Sequence, residues 1–151
     1  MKVLFVCLGN ICRSPLAEAI FNHQISKVGL ADKVGADSCG TGNYHIGSQP
    51  DSRTIAVAQK HGVAISHACR QLKKADLDTF DFVLAMDKSN QRNILQLAEP
   101  HHHHKVLLMR QFDSDQTSLE VPDPYYGGAN EFQEVYEILE RSVAGFVKAH
   151  F

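Results

Sequence analysis

The sequence predicts an α/β fold: a single three-layer domain in which a four-stranded parallel sheet carries helices on both faces. Apolar runs typical of strands alternate along the chain with segments of helical periodicity, a pattern that indicates a covered parallel sheet. The chain has 151 residues, enough for one sizeable core and too few to divide comfortably in two. No linker-like tract interrupts it, so we expect residues 1–151 to form one domain.

The first half of the chain predicts two strands and two helices. Val3–Val6 is a short apolar run, and apolar residues recur at helical spacing over Leu16–Val28. Val34–Ser38 predicts the second strand, which ends in a turn-rich segment at residues 40–43. Asp51 is a candidate N-cap for a helix that continues to about His61.

The second half predicts the remaining two strands and two helices. Phe80–Ala85 and Val106–Met109 are the third and fourth strands, and the continuous apolar run of the third is typical of a buried parallel position. Lys88–Ala98 between them is predicted to be helical. Apolar residues spaced over Phe132–Val147 predict a long C-terminal helix.

A candidate reactive loop follows the first strand, in the run VCLGNICRSP at residues 6–15. Cys7 and Arg13 are separated there by five residues, and Ser14 follows directly. A cysteine attacks as its thiolate, which a nearby arginine, a hydroxyl donor and a helix N-terminus all stabilise. Arg13 offers a planar fork that can bind two phosphoryl oxygens, and Ser14 can donate its hydroxyl to the Cys7 sulfur.

The residues between Cys7 and Arg13 are suited to binding an oxyanion. They form an arc whose backbone N–H groups can point inward, and Gly9 and Asn10 tolerate the left-handed backbone that such an arc needs. In open α/β sheets ligands bind beyond the carboxyl ends of the strands, which is where this loop lies. We therefore predict a phosphate-binding loop with its own nucleophile, made of Leu8, Gly9, Asn10, Ile11, Cys12 and Ser14.

The pattern of a cysteine, five residues, an arginine and a serine resembles the signature of the protein tyrosine phosphatases. With the run Asp123-Pro124-Tyr125-Tyr126 downstream, essentially the whole chain resembles the low-molecular-weight protein tyrosine phosphatase family. The resemblance implies a phosphatase I-like fold and hydrolysis of protein phosphotyrosine and small aryl phosphates. It implies a cysteinyl-phosphate intermediate, with Cys7 as nucleophile and Arg13 as phosphate binder, and neither a metal nor another cofactor.

Two carboxylic acids are candidates for donating a proton to the leaving group. The resemblance assigns this general acid/base role to Asp123, which lies between two prolines that restrict its backbone. From the residues alone Asp87 is a rival, because it follows the third strand and would lie at the same edge of the sheet. The other interpretation of Asp87 is an N-cap of the next helix.

Aromatic residues indicate where the substrate ring would bind. Tyr125 and Tyr126, beside the predicted acid, can wall a slot that accepts a flat ring. Tyr44 is a further candidate, because its loop follows the second strand and would lie over the same edge. Ile11 favours a tyrosine phosphatase, because the protein-arginine phosphatases of this family tend to carry threonine at the matching position.

The resemblance also implies that Ser38 and His67 support the loop by hydrogen bonding with Asn10 and Ser14. From the residues alone His67 is an ordinary surface or capping histidine. Cys12 has two interpretations: a thiol that forms a reversible disulfide with an oxidised Cys7, or a small apolar filler. Redox sensitivity depends on the first, whereas the other two cysteines, Cys39 and Cys69, are predicted to be buried hydrophobic residues.

Charge and hydropathy exclude several classes of partner. The formal net charge of −2 gives no basic surface for nucleic acid, and no apolar run approaches the length of a membrane span. Without an export signal, a cytoplasmic enzyme with reduced thiols is expected. We expect it to act on phosphotyrosine-containing proteins as a monomer or weak dimer.

Two alternatives to the phosphatase have sequence features that argue against them. An arsenate reductase resembles the same fold and loop but uses a relay of closely spaced cysteines downstream, and no such pair follows Cys69. A module that only captures phosphorylated partners would not need both Cys7 and Asp123. These arguments favour the phosphatase, but the sequence alone does not exclude the reductase or the capture module.

A run of four histidines, His101, His102, His103 and His104, precedes the fourth strand. Short histidine-rich tracts can bind transition metals. Adjacent residues of an extended segment cannot all converge on one ion, and no cysteine or carboxylate spacing nearby supports a dedicated site. The sequence therefore favours a solvated connection rather than a metal site.

Overall fold

One parallel sheet forms the centre of the protein in a computed structural model that describes residues 1–151. Its strands are β1 (Lys2–Cys7), β2 (Gly35–Gly40), β3 (Phe82–Ala85) and β4 (Val106–Leu108). They lie in the order β2-β1-β3-β4 with parallel pairing throughout. The carboxyl ends of β1, β2 and β3 therefore meet at one edge of the sheet.

Helices cover both faces of the sheet. They are α1 (Arg13–Lys27), α2 (Ser52–Lys60), α3 (Asp76–Thr79), α4 (Lys88–Leu97) and α5 (Ala129–His150), with short 3-10 helices at Pro100–Lys105 and Met109–Phe112. The predicted three-layer α/β fold is thus confirmed. No helix combines the length and the apolar character needed to cross a bilayer.

Strand β1 divides the hydrophobic core because its side chains alternate between the two faces. Val3 and Phe5 pack in the larger cluster, with α1 and α5, whereas Leu4 and Val6 pack in the smaller cluster with residues of α3 and α4. All four side chains are fully buried. A strand buried on both faces fixes the point at which the chain leaves the sheet, which is Cys7.

The observed elements differ from the predicted ones mainly at their ends. Helix α2 begins after Asp51, whose side chain accepts the Arg53 N–H at 2.9 Å, as the predicted N-cap requires. Strand β2 lies slightly downstream of the predicted Val34–Ser38. Strand β3 begins at Phe82 rather than at the predicted Phe80, because Phe80 is the C-cap of the short helix α3. Helix α3 is not predicted from the sequence, because four residues are too few to show an apolar periodicity.

The prediction of a solvated histidine run is wrong for His102. The run forms a 3-10 helix, and the His102 ring is buried. Its Nδ1 accepts the Glu99 N–H at 3.2 Å, so the ring proton lies on Nε2, which donates to Asp78 Oδ1 at 2.7 Å. Although His101, His102 and Asp78 lie close together, His102 then has no lone pair left for a metal ion.

Candidate active site

The loop from Leu8 to Cys12 directs its carbonyls outward, toward the surrounding segments. Backbone N–H groups from outside bind three of the carbonyls of residues 7–11: Thr41 to Cys7 at 2.9 Å, Gly42 to Leu8 at 2.9 Å and Asp51 to Ile11 at 2.8 Å. None of the N–H groups of residues 8–12 donates to another group of the protein. Because the C=O and N–H of one trans peptide point in opposite directions, these amides face the inside of the arc, as an anion-binding nest requires.

Two backbone features keep the arc in this shape. Asn10 has a left-handed conformation with φ of 58°, which asparagine tolerates better than most residues. Gly40, at the end of β2, lies so close to the loop that a Cβ there would be 2.6 Å from the Leu8 carbonyl oxygen and 3.2 Å from the Asn10 nitrogen. The close approach of the two backbones thus requires glycine at residue 40.

Arg13 is buried at the start of α1, immediately after the arc. Its Nη1 donates to Asp87 Oδ2 at 2.7 Å and to the Val121 carbonyl at 3.0 Å, while Nη2 lies 3.9 Å from Asp123 Oδ2. Burial disfavours its charge, but the negative charges of Cys7, Asp87 and Asp123 outweigh burial and raise the pKa of Arg13. The guanidinium is therefore held in place and permanently charged.

The structure separates the two candidate acids. Asp87 uses both oxygens within the protein: Oδ2 accepts from Arg13, and Oδ1 accepts the Asn90 N–H at 2.7 Å as the N-cap of α4. Asp123 lines the pocket with its side chain 47% exposed, and its Oδ1 accepts the Tyr125 N–H at 3.0 Å. Of the two, only Asp123 is placed to reach a substrate.

A cavity of about 400 Å³ opens above the arc. It brings together the predicted nucleophile, arginine, acid and tyrosines, and is lined by Cys7, Leu8, Gly9, Ile11, Cys12, Arg13, Tyr44, His45, Asp123, Tyr125 and Tyr126. Tyr44 and Tyr126 are strongly exposed at its rim, and the Tyr125 and Tyr126 rings stand edge to face at 5.0 Å. Sequence reasoning missed His45, whose only signal is its position beside Tyr44.

Arg53 supports the tyrosine wall from behind and was not predicted. Its guanidinium lies 5.6 Å from the Tyr125 ring centre and 4.6 Å from that of Phe132. Bonds to both Asp51 oxygens and to the Gly127 carbonyl hold it there. The cation can therefore stack against Tyr125 and limit the movement of that ring.

The predicted support network around Asn10 is assembled. The Asn10 Nδ2 group donates to Ser14 Oγ at 2.8 Å and to Ser38 Oγ at 3.1 Å, while Oδ1 lies 2.7 Å from His67 Nε2. Ser14 Oγ is in turn 3.0 Å from Cys7 Sγ. The hydroxyl of Ser14, fixed by Asn10, can donate to a Cys7 thiolate. The burial of His67 excludes the alternative of a surface histidine.

Glu18 extends this network and has no signal in the sequence. His67 Nε2 donates to Asn10 Oδ1, and His67 Nδ1 lies 3.3 Å from Glu18 Oε1, which also accepts the Ser38 hydroxyl at 2.7 Å. Burial raises the pKa of Glu18 to about 7 and lowers the pKa of His67. Burial therefore favours the uncharged form of both groups beneath Asn10.

The chain matches the family model described as low molecular weight phosphotyrosine protein phosphatase over residues 2–150. A relative of that name from Schizosaccharomyces pombe is 44% identical over 99% of this chain and 96% of its own length. The human relative is 40% identical over 99% of this chain and 96% of its own length. The crystal structure of a protein tyrosine phosphatase from Entamoeba histolytica, with Hepes in its active site, has a TM-score of 0.96 at 40% identity, covering 98% of this chain and 95% of that one.

The fold, the loop and the pocket, taken with these matches, define a phosphatase of the cysteine-dependent class. The extent of these matches places the chain more narrowly: it belongs to the low molecular weight phosphotyrosine protein phosphatase family and is a protein tyrosine phosphatase that uses a cysteine and no metal. The predicted resemblance is therefore confirmed over nearly the whole chain.

The contact between Gly40 and the arc gives a first prediction. Gly40→Ala should lower kcat/KM for an aryl phosphate by at least about tenfold, because the new methyl group meets backbone that cannot move without distorting the loop, at a cost of about 1–3 kcal/mol. Gly35→Ala, at the open end of the same strand, is the matched control and should keep its activity, since its Cβ meets nothing closer than 4.0 Å. Equal activity of the two variants would contradict the tight contact.

The raised pKa of Glu18 gives a second prediction. An unfolded chain releases the Glu18 proton near pH 4.5, whereas the folded protein holds it to about pH 7, so the free energy of unfolding falls as pH rises between these values. The loss amounts to at most about 3 kcal/mol. Glu18→Gln, which mimics the protonated acid, should flatten this slope in urea titrations from pH 4.5 to 8.

The matched control for Glu18→Gln is Glu134→Gln, which alters an exposed glutamate of α5. It should leave the pH dependence of stability as in the unaltered chain. A Glu18→Gln slope that is indistinguishable from the control slope would show that Glu18 ionises normally in the folded protein.

Proposed function

We propose that this chain hydrolyses phosphotyrosine in proteins, and small aryl phosphates, through a cysteinyl-phosphate intermediate. Cys7 is the nucleophile, Arg13 binds the phosphoryl group and Asp123 is the general acid and base. One observation carries the proposal: the Cys7 thiol lies on the floor of a pocket toward which five unpaired amides, a buried guanidinium and an available carboxyl all converge.

In the first half-reaction the Cys7 thiolate attacks phosphorus and the ester oxygen leaves. The amides of residues 8–12 and the Arg13 fork bind the non-bridging oxygens and stabilise the charge that they carry in the transition state. Asp123, protonated, donates its proton to the departing phenol oxygen. The products are a free tyrosine side chain and a phosphate joined to the Cys7 sulfur.

In the second half-reaction a water molecule attacks the phosphorus of the cysteinyl-phosphate. Asp123, now ionised, accepts one proton from this water, and the P–S bond breaks to release inorganic phosphate. Ser14 donates a hydrogen bond to the thiolate that leaves, at the 3.0 Å separation of its oxygen from the sulfur. The site returns to its starting protonation state.

The walls of the pocket support phosphotyrosine as the substrate class. A ring between Tyr44, Tyr125 and Ile11 places its phosphate on the arc, whereas the short side chain of phosphoserine would leave the aromatic walls uncovered. The phosphatase names of the matched family and relatives favour this function over an arsenate reductase. A cytoplasmic location and a monomer or weak dimer stay predictions.

Redox sensitivity also stays a prediction. Cys7 and Cys12 line the same cavity, so a sulfenic acid on Cys7 could condense with the Cys12 thiol to form a disulfide and water. Burial raises the pKa of Cys12 to about 12, which keeps it a thiol rather than a second thiolate. A buried thiol of this kind is equally suited to filling space beside the arc.

Turnover of a phosphotyrosine peptide in the presence of EDTA tests the chemistry. The unaltered chain should release phosphate, and Cys7→Ser should not, because the serine hydroxyl is not ionised at neutral pH and is a much weaker nucleophile than a thiolate. Rapid quenching in alkali, in which the P–S bond of a cysteinyl-phosphate is stable, should trap phosphate on the unaltered chain. A Cys7→Ser variant that turns over normally would overturn the proposal, and binding of the peptide without turnover by either protein would favour the capture module.

Asp123→Asn and its matched partner Asp87→Asn test the assignment of the acid. Asp123→Asn should lower kcat about 100- to 10,000-fold for phosphotyrosine, and much less for an aryl phosphate with an acidic phenol, which leaves without a proton. Asp87→Asn keeps the N-cap but weakens the hold on Arg13, so it should lower kcat/KM equally for both substrates. Leaving-group dependence in Asp87→Asn alone would reverse the assignment.

A further inference from the structure

The peptide between Asn10 and Ile11 is held by a segment that contains Cys69, a residue that the proposed mechanism does not use. The segment from His67 to Arg70 binds Asn10 at three points. His67 Nε2 and the Arg70 N–H reach the side-chain oxygen at 2.7 and 3.0 Å, and the Cys69 Sγ lies 2.7 Å from the backbone carbonyl oxygen. We propose that Cys69 is a positioning residue, whose thiol orients the Ile11 N–H toward the phosphoryl group.

The Asn10 carbonyl differs from its neighbours in what binds it. Backbone N–H groups, which any residue type except proline supplies, hold the carbonyls of Cys7, Leu8 and Ile11. The carbonyl of Asn10 accepts only from the Cys69 thiol. The conformation of this one peptide therefore depends on the identity of a side chain.

The thiol acts on the substrate through the geometry of a single peptide plane. Holding the Asn10 oxygen outward holds the Ile11 N–H inward, because the two point in opposite directions across a trans peptide. Rotation of this plane would remove one donor from the arc and turn a carbonyl oxygen toward the phosphate. The backbone of Asn10 is in the left-handed region, where few conformations are accessible. Because the Asn10–Ile11 peptide plane has few alternative orientations, a single hydrogen bond can decide which one it adopts.

Cys69 is itself well anchored. Its N–H donates to the Ser48 carbonyl at 2.9 Å, and its own carbonyl accepts the Gly47 N–H at 2.8 Å. The side chain is 3% exposed, and burial raises the pKa of the thiol, so it stays protonated and able to donate. The adjacent Arg70 is paired with Asp37 and Asp76, which fixes the segment from the other side.

Three variants separate positioning from packing. Cys69→Ala removes the donor and leaves a small cavity. Cys69→Ser keeps a donor, because a C–O bond shorter than C–S by about 0.4 Å still leaves the oxygen within hydrogen-bonding reach of the carbonyl. Cys39→Ala removes a fully buried thiol of β2 whose side chain makes no hydrogen bond, and it serves as the control for cavity formation.

The measurement is the affinity for inorganic phosphate, by titration calorimetry, in each variant combined with Cys7→Ser. We expect Cys69→Ala to weaken phosphate binding about tenfold, the effect of losing one hydrogen bond to a charged group, and Cys69→Ser to stay within about threefold of the parent. The Ile11 amide resonance should shift on phosphate addition in the parent and in Cys69→Ser, and much less in Cys69→Ala. Cys39→Ala should bind phosphate normally despite lower stability.

The inference rests on the proposed function, but the two can fail separately. If Cys7→Ser binds no phosphate with Cys69 intact, the phosphate site itself is wrong. If the parent binds phosphate and Cys69→Ala binds it equally well, only the role of Cys69 is overturned. The same holds if Cys69→Ser is as impaired as Cys69→Ala, because the loss would then follow from packing rather than from the donor.

Discussion

The active site depends on one geometric constraint: successive peptide N–H groups must face a single point. A backbone can meet it only if the corresponding carbonyls turn outward and find donors there, since buried carbonyls without partners are costly. The residues just after β2, together with Asp51 and the segment around Cys69, supply those donors. Much of the chain around the arc therefore serves to hold one short loop in an orientation that it would not keep alone.

Electrostatics imposes the second condition. A buried guanidinium is unfavourable unless anions surround it, and Arg13 has three: Cys7, Asp87 and Asp123. A bound phosphoryl group adds negative charge beside Arg13. One carboxylate must therefore stay paired with the guanidinium at all times, while Cys7 and the second carboxyl stay free to react. Asp87 meets this requirement because its second oxygen is bound by the N-terminus of α4. Asp123, at a longer distance from Arg13, leaves its carboxyl free for the proposed proton transfer.

The sequence predicted what depends on neighbours along the chain and missed what depends on distant ones. Cys7, Arg13 and Ser14 lie on one strand, loop and helix, so their spacing alone indicated the site. Asp123 needed the family resemblance, because its flanking prolines alone do not identify it as the acid in preference to Asp87. Arg53 and the hydrogen bond of Cys69 depend on residues distant in the sequence, and so do the partners of Glu18, which are Ser38 and His67. His45 lies beside Tyr44, but its residue type gave no indication of a role. The prediction for the histidine run failed partly for the same reason, because His102 is bound by Asp78, which lies 24 residues away in the sequence, as well as by the nearby Glu99 N–H.

The loop that carries Asp123 is held by contacts that also hold Arg13. The Val121 N–H donates to the Met86 carbonyl at 2.8 Å, and the Val121 carbonyl accepts from Arg13, so the acid loop is joined to the end of β3 and to the guanidinium at one residue. Burial opposes the charge of Asp113, yet Arg141 and Arg110 lower its pKa, and Arg110 also binds the Glu120 carbonyl. The loop is thus fixed on the side of the sheet while Asp123 faces the solvent. The loop of Asp123 and the guanidinium of Arg13 are therefore held relative to each other, as the proposed reaction requires of its acid and its phosphate binder.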